Sequence, residues 1–232
     1  MDNPKILIII GSPGAGKGTQ SNLLSEKLGF YHFSTSKVVG RIIENAESGS
    51  FVEVDGTKYY FEEQKKLREK GKLWDPPFLT HFVKEKTKEL HQEGKGIVFD
   101  GAIRTMYEVE NLIPLLKELY GPENIEVVYI EITEDEAVFR NSHRKECELM
   151  RHPVLYSEET ESLTKCQIDG SGLVERKDDD PEVIKVRLKE FKERTMPLLD
   201  FFSKEKVKIH HIDGSPSPAD VFKSILKSLG MQ

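Results

Sequence analysis

Cysteine is nearly missing from this chain. Its 232 residues include two, Cys147 and Cys166, too few to staple a small secreted scaffold, so a reducing compartment is expected. Long apolar runs are also lacking. The strongest, Ile6 to Ile10, falls far short of the roughly 20 residues of a membrane span and is shorter than a secretory h-region. That leaves the cytoplasm as the expected location and argues against a membrane partner. There is no basic excess either: 34 Lys and Arg stand against 40 Asp and Glu, a formal net charge of -6. A diffuse negative balance disfavours nucleic acid as a bulk partner but leaves room for a local pocket lined with arginine. No internal repeat or low-complexity tract interrupts the chain, and its length suits one α/β core with insertions, most simply as a monomer.

What is present is an alternation of short apolar runs and helix-period segments. Lys5 to Ile10 is branched and continuous, as expected of a strand covered on both faces at the centre of a parallel sheet. Tyr31–Ser34, Gly96–Phe99, Glu126–Ile132 and Lys206–His210 supply further strands. Helical pattern runs over Gln20–Leu28, Tyr107–Tyr120, Thr133–Arg144, Pro181–Phe202 and Ser217–Leu229. Alternation of this kind specifies a doubly wound parallel sheet of about five strands. Two stretches break it. Residues 35–94 are mostly helical around Phe51–Phe61, where Asp55-Gly56 predicts a tight hairpin turn. Residues 145–175 have no sustained period and hold both cysteines, the pattern of a lid or binding loop. Residues 1–34, 95–144 and 176–232 would then form the core.

Gly11-Ser-Pro-Gly-Ala-Gly-Lys-Gly-Thr19 follows the first strand directly and opens a helix. Glycines at that corner let backbone N–H groups of Gly14, Ala15, Gly16, Lys17, Gly18 and Thr19 converge on phosphate oxygens at the positive end of the helix dipole. The G-x-x-x-x-G-K spacing is met, although the hydroxyl residue stands one place late, at Thr19. Such a loop binds nucleotide without choosing a reaction.

The choice comes from arginines. Phosphoryl transfer is catalysed by positioning and by cations on the equatorial oxygens, and the arginine fork suits phosphate. Arg140 and Arg144 lie four apart on one helical stretch, Arg104 closes a segment after a strand, Arg176 precedes Asp178-Asp179-Asp180, and Arg187 follows. Taken singly, each also reads as a solvated helix charge.

Together these motifs make the chain resemble the adenylate kinases and related nucleoside monophosphate kinases. Gly11–Gln20 resembles that family's phosphate loop, displaced threonine included; Phe33-Ser-Thr35 resembles the opening of its monophosphate-binding insertion; Lys70-Gly-Lys-Leu73 its bend; and Asp100-Gly101 with Arg104-Thr105 its D-G-x-x-R-T motif. Arg140 with Arg144, Arg176-Lys-Asp-Asp179, Arg187 and Ile212–Ser215 match in order. The resemblance implies transfer of the γ-phosphate of Mg-ATP to a nucleoside monophosphate, AMP before others, with residues 35–94 and 145–175 closing over the core. It implies that Lys17, Arg140, Arg144 and Arg176 surround the travelling phosphate, that Arg104 and Arg187 hold the acceptor's phosphate, and that Asp100 orders magnesium waters. Pro216 would lie near the ATP base. Thr35, Arg41, Lys72, Leu73, Trp74, Gly101 and Glu108 would contact the acceptor.

The departures gather on the acceptor side. Ala102-Ile103 replace the family's Phe-Pro, and Glu108 replaces a glutamine that reads adenine, exchanging an amide for a carboxylate with no donor when ionised. Glu108 is otherwise a solvated helix residue. Gly40 stands where relatives have arginine, with Arg41 either compensating by reach or lying at the surface. Trp74 reads as packing or as a wall beside the acceptor base. In the lid, Cys147, Cys166 and Asp169 fall on three of the family's four zinc positions, and the fourth is Met150, a poor ligand. A metal-free lid is the expectation, the alternative being zinc completed by His152 if the loop bends. An ATP-binding regulatory protein, or a kinase of another small acceptor, remains open.

Overall fold

In the computed structural model, which describes residues 5–150, 152–175 and 179–231, the chain begins with strand β1 (Ile6–Gly11), every residue of which is buried. The run lacks alternation because both faces are covered: Ile6, Ile8 and Ile10 enter one apolar cluster with Phe33, Phe99 and Leu112, while Leu7 and Ile9 enter a second with Leu24, Val128 and Ile225. Helix α1 (Lys17–Leu28), β2 (Tyr31–Ser34), α2 (Thr35–Glu44), β3 (Phe51–Val54), β4 (Thr57–Tyr60), α3 (Phe61–Glu69), α4 (Pro76–Gln92), β5 (Ile97–Asp100), α5 (Met106–Tyr120) and β6 (Ile125–Glu131) follow. After them come α6 (Glu134–Ser142), β7 (Lys145–Cys147), β8 (Pro153–Val154), α7 (Glu158–Glu161), β9 (Leu173–Glu175), α8 (Pro181–Glu190), α9 (Leu198–Lys204), β10 (Lys208–Asp213) and α10 (Pro218–Ser228).

The central sheet has five strands in the order β10-β6-β1-β5-β2, all parallel, as expected from the alternation of elements. Its order reverses beside β1, so the carboxyl ends of β1 and β5 open onto a crevice, the usual ligand position in such sheets. The β3–β4 hairpin turns at Asp55 and Gly56, with φ of 50° and 76°, the left-handed pair that a two-residue turn requires.

Three segments differ from the periodicity reading. Pro181–Phe202 is not one helix: α8 gives way to a π turn over Phe191–Thr195 before α9. Pro197 has no N–H and its ring would clash one turn back, and Met196 N–H reaches the Phe191 carbonyl at 2.9 Å instead. The last strand starts two residues later than expected because Lys206 turns the chain at φ 57°. The stretch without period is not irregular, since β7, β8 and β9 form a small antiparallel sheet whose strands are too short to show one.

Candidate active site

Gly11 ends β1 where a Cβ would meet the Ile130 carbonyl oxygen at 2.7 Å. Gly14 and Gly16 take left-handed backbone, with φ of 87° and 85°, which few other residues tolerate. Gly16 is the N-cap of α1 and no side chain caps it. The N–H groups of the first turn are therefore left for a ligand's oxygens, at the positive end of the helix. Lys17 Nζ donates to the Gly11 and Ser12 carbonyls, both at 2.8 Å. Burial, and then the charge of Arg104, push its pKa down to about 7 against the pull of Asp100, with Arg187 and Arg144 also lowering it. A buried ammonium among arginines is a site waiting for an anion.

Arginines reach it from three separate stretches of the chain. Arg144, just after α6, grips Asp179 as a fork, Nε to Oδ2 at 3.0 Å and Nη2 to Oδ1 at 2.6 Å, and Arg187 of α8 stands 3.5 Å from the same Oδ1. Asp179 thus spaces two guanidinium groups. Arg104 folds over Gly101, whose φ of 81° and lack of Cβ make that approach possible. Arg140 donates to the carbonyls of Gly214 and Ser215 at 3.0 and 3.2 Å, beside the exposed Pro216, and pairs with Glu136. Arg176 lies outside the described residues.

Asp100, at the end of β5, is the carboxylate among these cations. Burial would raise its pKa, but the His32 ring, with Nε2 at 3.5 Å from Oδ2, and the Lys17 charge outweigh it and hold the carboxyl below its ordinary range. An ionised carboxylate facing the phosphate loop, where a Cβ on Gly18 would stand 3.4 Å from Oδ2, fits a role in holding a hydrated divalent cation.

On the acceptor side, Thr35 opens α2 and donates to the Asp100 carbonyl at 3.2 Å. Lys72 is exposed, Leu73 half-buried, and Trp74 is 8% exposed within the core, as the packing reading expects. Arg41 is exposed. The guanidinium lying over Gly40 is that of Arg68, whose Nη1 a Cβ there would approach to 2.8 Å. Ala102-Ile103 sit buried with no cis peptide bond among the described residues.

Glu108 is 0% exposed, so its reading as a solvated residue is corrected. It is the third residue of α5 and closes a capping box with Thr105. One carboxyl oxygen accepts the Arg104 and Thr105 N–H groups, the second at 3.0 Å, and the other is buried without a hydrogen-bond partner among the described residues. Burial pushes its pKa up to about 7, against the backbone donors and the Arg104 and Arg194 charges. The Thr195 hydroxyl of the π turn donates to the Arg104 carbonyl at 2.9 Å, so the peptide carrying Arg104 is held from both sides. The anchoring roles of Asp179 and Thr195 escaped the sequence reading; the Arg-Lys-Asp-Asp run named the first, and nothing local named the second.

In the lid, Cys147, His152, Cys166 and Asp169 place one donor atom each within 4.8 Å of one another. Cys147 Sγ lies 3.0 Å from Asp169 Oδ2 and 3.5 Å from His152 Nδ1. The bend a fourth ligand needs is present, closed by the His152 N–H to Cys147 Sγ at 3.1 Å, while Met150 stands 63% exposed. Two thiols, an imidazole and a carboxylate suit tetrahedral zinc.

A glycine-lined loop with a buried lysine, ringed by arginines from separate elements and facing one carboxylate at a sheet switch point, defines a P-loop phosphotransferase. The family model described as adenylate kinase matches residues 9–207. An adenylate kinase of Staphylococcus aureus (strain Mu50) is 33% identical over 228 residues, covering 96% of this chain and 98% of that protein. Adenylate kinases of Archaeoglobus fulgidus and Methanothrix thermoacetophila are each 31% identical, covering 94% and 96% of this chain and 95% and 97% of their own. The chain belongs to the adenylate kinase family, and is thereby a nucleoside monophosphate kinase. No helix of the described residues is long and apolar enough to cross a membrane.

Proposed function

We propose that the chain reversibly transfers the γ-phosphate of Mg-ATP to AMP, with residues 35–94 and 145–175 closing over the site. The observation that carries this reading is the convergence of Arg104, Arg144 and Arg187 on Lys17 at the phosphate loop. In it, Lys17, Arg140 and Arg144 hold the travelling phosphate, joined by Arg176, while Arg104 and Arg187 hold the acceptor's phosphate. No side chain acts as a nucleophile, because charge and position are what the transition state needs. Closure excludes water, the competing acceptor. Magnesium, when bound with ATP, supplies charge neutralisation, and Asp100 is the residue that would hold its waters. A monomer in a reducing cytoplasm belongs to the same reading, and such a compartment suits the free thiols. The test is ATP with magnesium against AMP, GMP, CMP, UMP and dTMP, reading diphosphate formation. ADP formed fastest with AMP supports the reading; ATP binding with negligible transfer to all five would overturn it.

The lid in this reading holds zinc through Cys147, His152, Cys166 and Asp169. Support comes from the chemistry of the donor set and its clustering. When bound, zinc supplies a cross-link for a sheet of two- and three-residue strands that has little core of its own. Elemental analysis is expected to find one zinc per chain, and a chelator to lower Tm by several degrees, with Cys166→Ser insensitive to it. Metal-free protein whose Tm ignores both added zinc and chelator would rule the zinc out.

A further inference from the structure

Arg68, near the end of α3, is half-buried, and no salt bridge or hydrogen bond engages its guanidinium among the described residues. Leaving water without an acidic partner is unfavourable for such a group. What supports it is the ring of Trp74, 5.5 Å from the guanidinium carbon, and the bare backbone of Gly40, since any Cβ there would stand 2.8 Å from Nη1. A cation–π contact of this kind uses none of the guanidinium's N–H donors. Those donors are the part that meets phosphate as a fork.

Its surroundings locate it. Helix α2, which carries Gly40, starts at Thr35 on the Asp100 carbonyl. The bend after α3 places Gly71 where a Cβ would meet the Arg187 side chain at 3.3 Å. Helix α2 thus leads from Asp100 to Arg68 at Gly40, and the bend two residues beyond α3 touches Arg187, so Arg68 lies between elements that contact two groups of the phosphate site. Arg41, the neighbour of Gly40, is exposed instead.

We propose that Arg68 is a binding residue for the phosphate of the acceptor monophosphate, delivered from α3 through the space that Gly40 leaves open and held flat by Trp74. The assignment rests on the transfer reading above and names a contact that reading did not contain. The guanidinium then enters over Gly40 from across the insertion rather than from that residue's own helix.

The chain has a single tryptophan, and Arg68 lies on it, so AMP bound at this guanidinium should change Trp74 fluorescence directly. AMP is titrated into the full chain and followed by that fluorescence and by calorimetry, in wild type, Arg68→Ala, Lys66→Ala and the double variant Gly40→Arg/Arg68→Ala. Transfer kinetics are measured on the same samples. Arg68→Ala is expected to weaken AMP binding and raise its KM roughly 10- to 100-fold, the loss of a charged hydrogen-bonded contact, with the KM for ATP unchanged. Lys66→Ala, an exposed cation on the same helix, should stay within about twofold, as a surface charge does. The double variant returns a guanidinium to the vacated place and should recover most of the affinity. Wild-type AMP affinity in Arg68→Ala, or an equal loss for ATP and AMP with a lower Tm and no recovery in the double variant, overturns the assignment. Wild type that binds AMP without turning it over defeats the transferase reading alone, because the binding constants still decide Arg68. Wild type that does not bind AMP defeats both.

Discussion

Lys17→Met is expected to lower turnover roughly 100- to 1,000-fold while Tm stays unchanged or rises. The ammonium is buried beside Arg104, Arg187 and Arg144, and its pKa falls to about 7, so without a bound phosphate the charge is a burden on the fold. Removing it relieves desolvation and like-charge repulsion, and deletes a cation aimed at the transition state, where preorganised charge in a dry site is worth several kcal/mol. Arg144→Ala should show a comparable loss, with more damage to structure, because the Asp179 fork then loses a partner on a side chain 4% exposed. Rates and thermal midpoints on the same samples check both, and equal turnover in either variant would remove that residue from the machinery.

Glu108→Gln should stabilise the protein at pH 8 and do little at pH 5. The folded-state pKa of Glu108, about 7, lies above its ordinary 4.5, so the folded chain holds the proton more tightly than the unfolded chain. Stability therefore falls as pH rises from about 4.5 to about 7, and the cost is fully present above that window. At 1.36 kcal/mol per unit this amounts to about 3 kcal/mol at pH 8 and less than about 1 kcal/mol at pH 5. Glutamine keeps one oxygen for the Arg104 and Thr105 N–H groups and cannot ionise. At 2–4 °C per kcal/mol for a chain of this size, the gain is roughly 6–12 °C at pH 8. The variant also places an amide donor where the partnerless oxygen stands, and its preference for AMP over other monophosphates should rise. Melting curves at the two pH values test the first statement. An unchanged ranking of acceptors would make Glu108 a structural cap and nothing more.

Much of the fold and site was legible in residue order. The apolar runs and the helical segments between them carried the five-stranded parallel sheet, because strands covered on both faces must be apolar throughout and crossovers must be long. Asp55-Gly56 carried its hairpin for an equally local reason. The phosphate loop was readable as well, since strand, glycines, lysine and helix are contiguous and their geometry is a property of the backbone there. The π turn and the lid sheet were not, the first because Pro197 and a distant carbonyl set it, the second because two- and three-residue strands have no period.

Sequence alone determined that Lys17 and the arginines were the groups to watch; only the tertiary structure decided which of them meet, and through what. Asp179 spaces Arg144 and Arg187, Glu108 and Thr195 hold the peptide of Arg104, and Arg68 of α3 covers Gly40 of α2. Apart from the capping box of Glu108, which is local, each pairing joins separate elements, and nothing in the local pattern of one element encodes which atoms of another will face it. His152 makes the same point: its place beside Cys147 and Cys166 depends on how one short loop bends, a matter of packing and not of spacing.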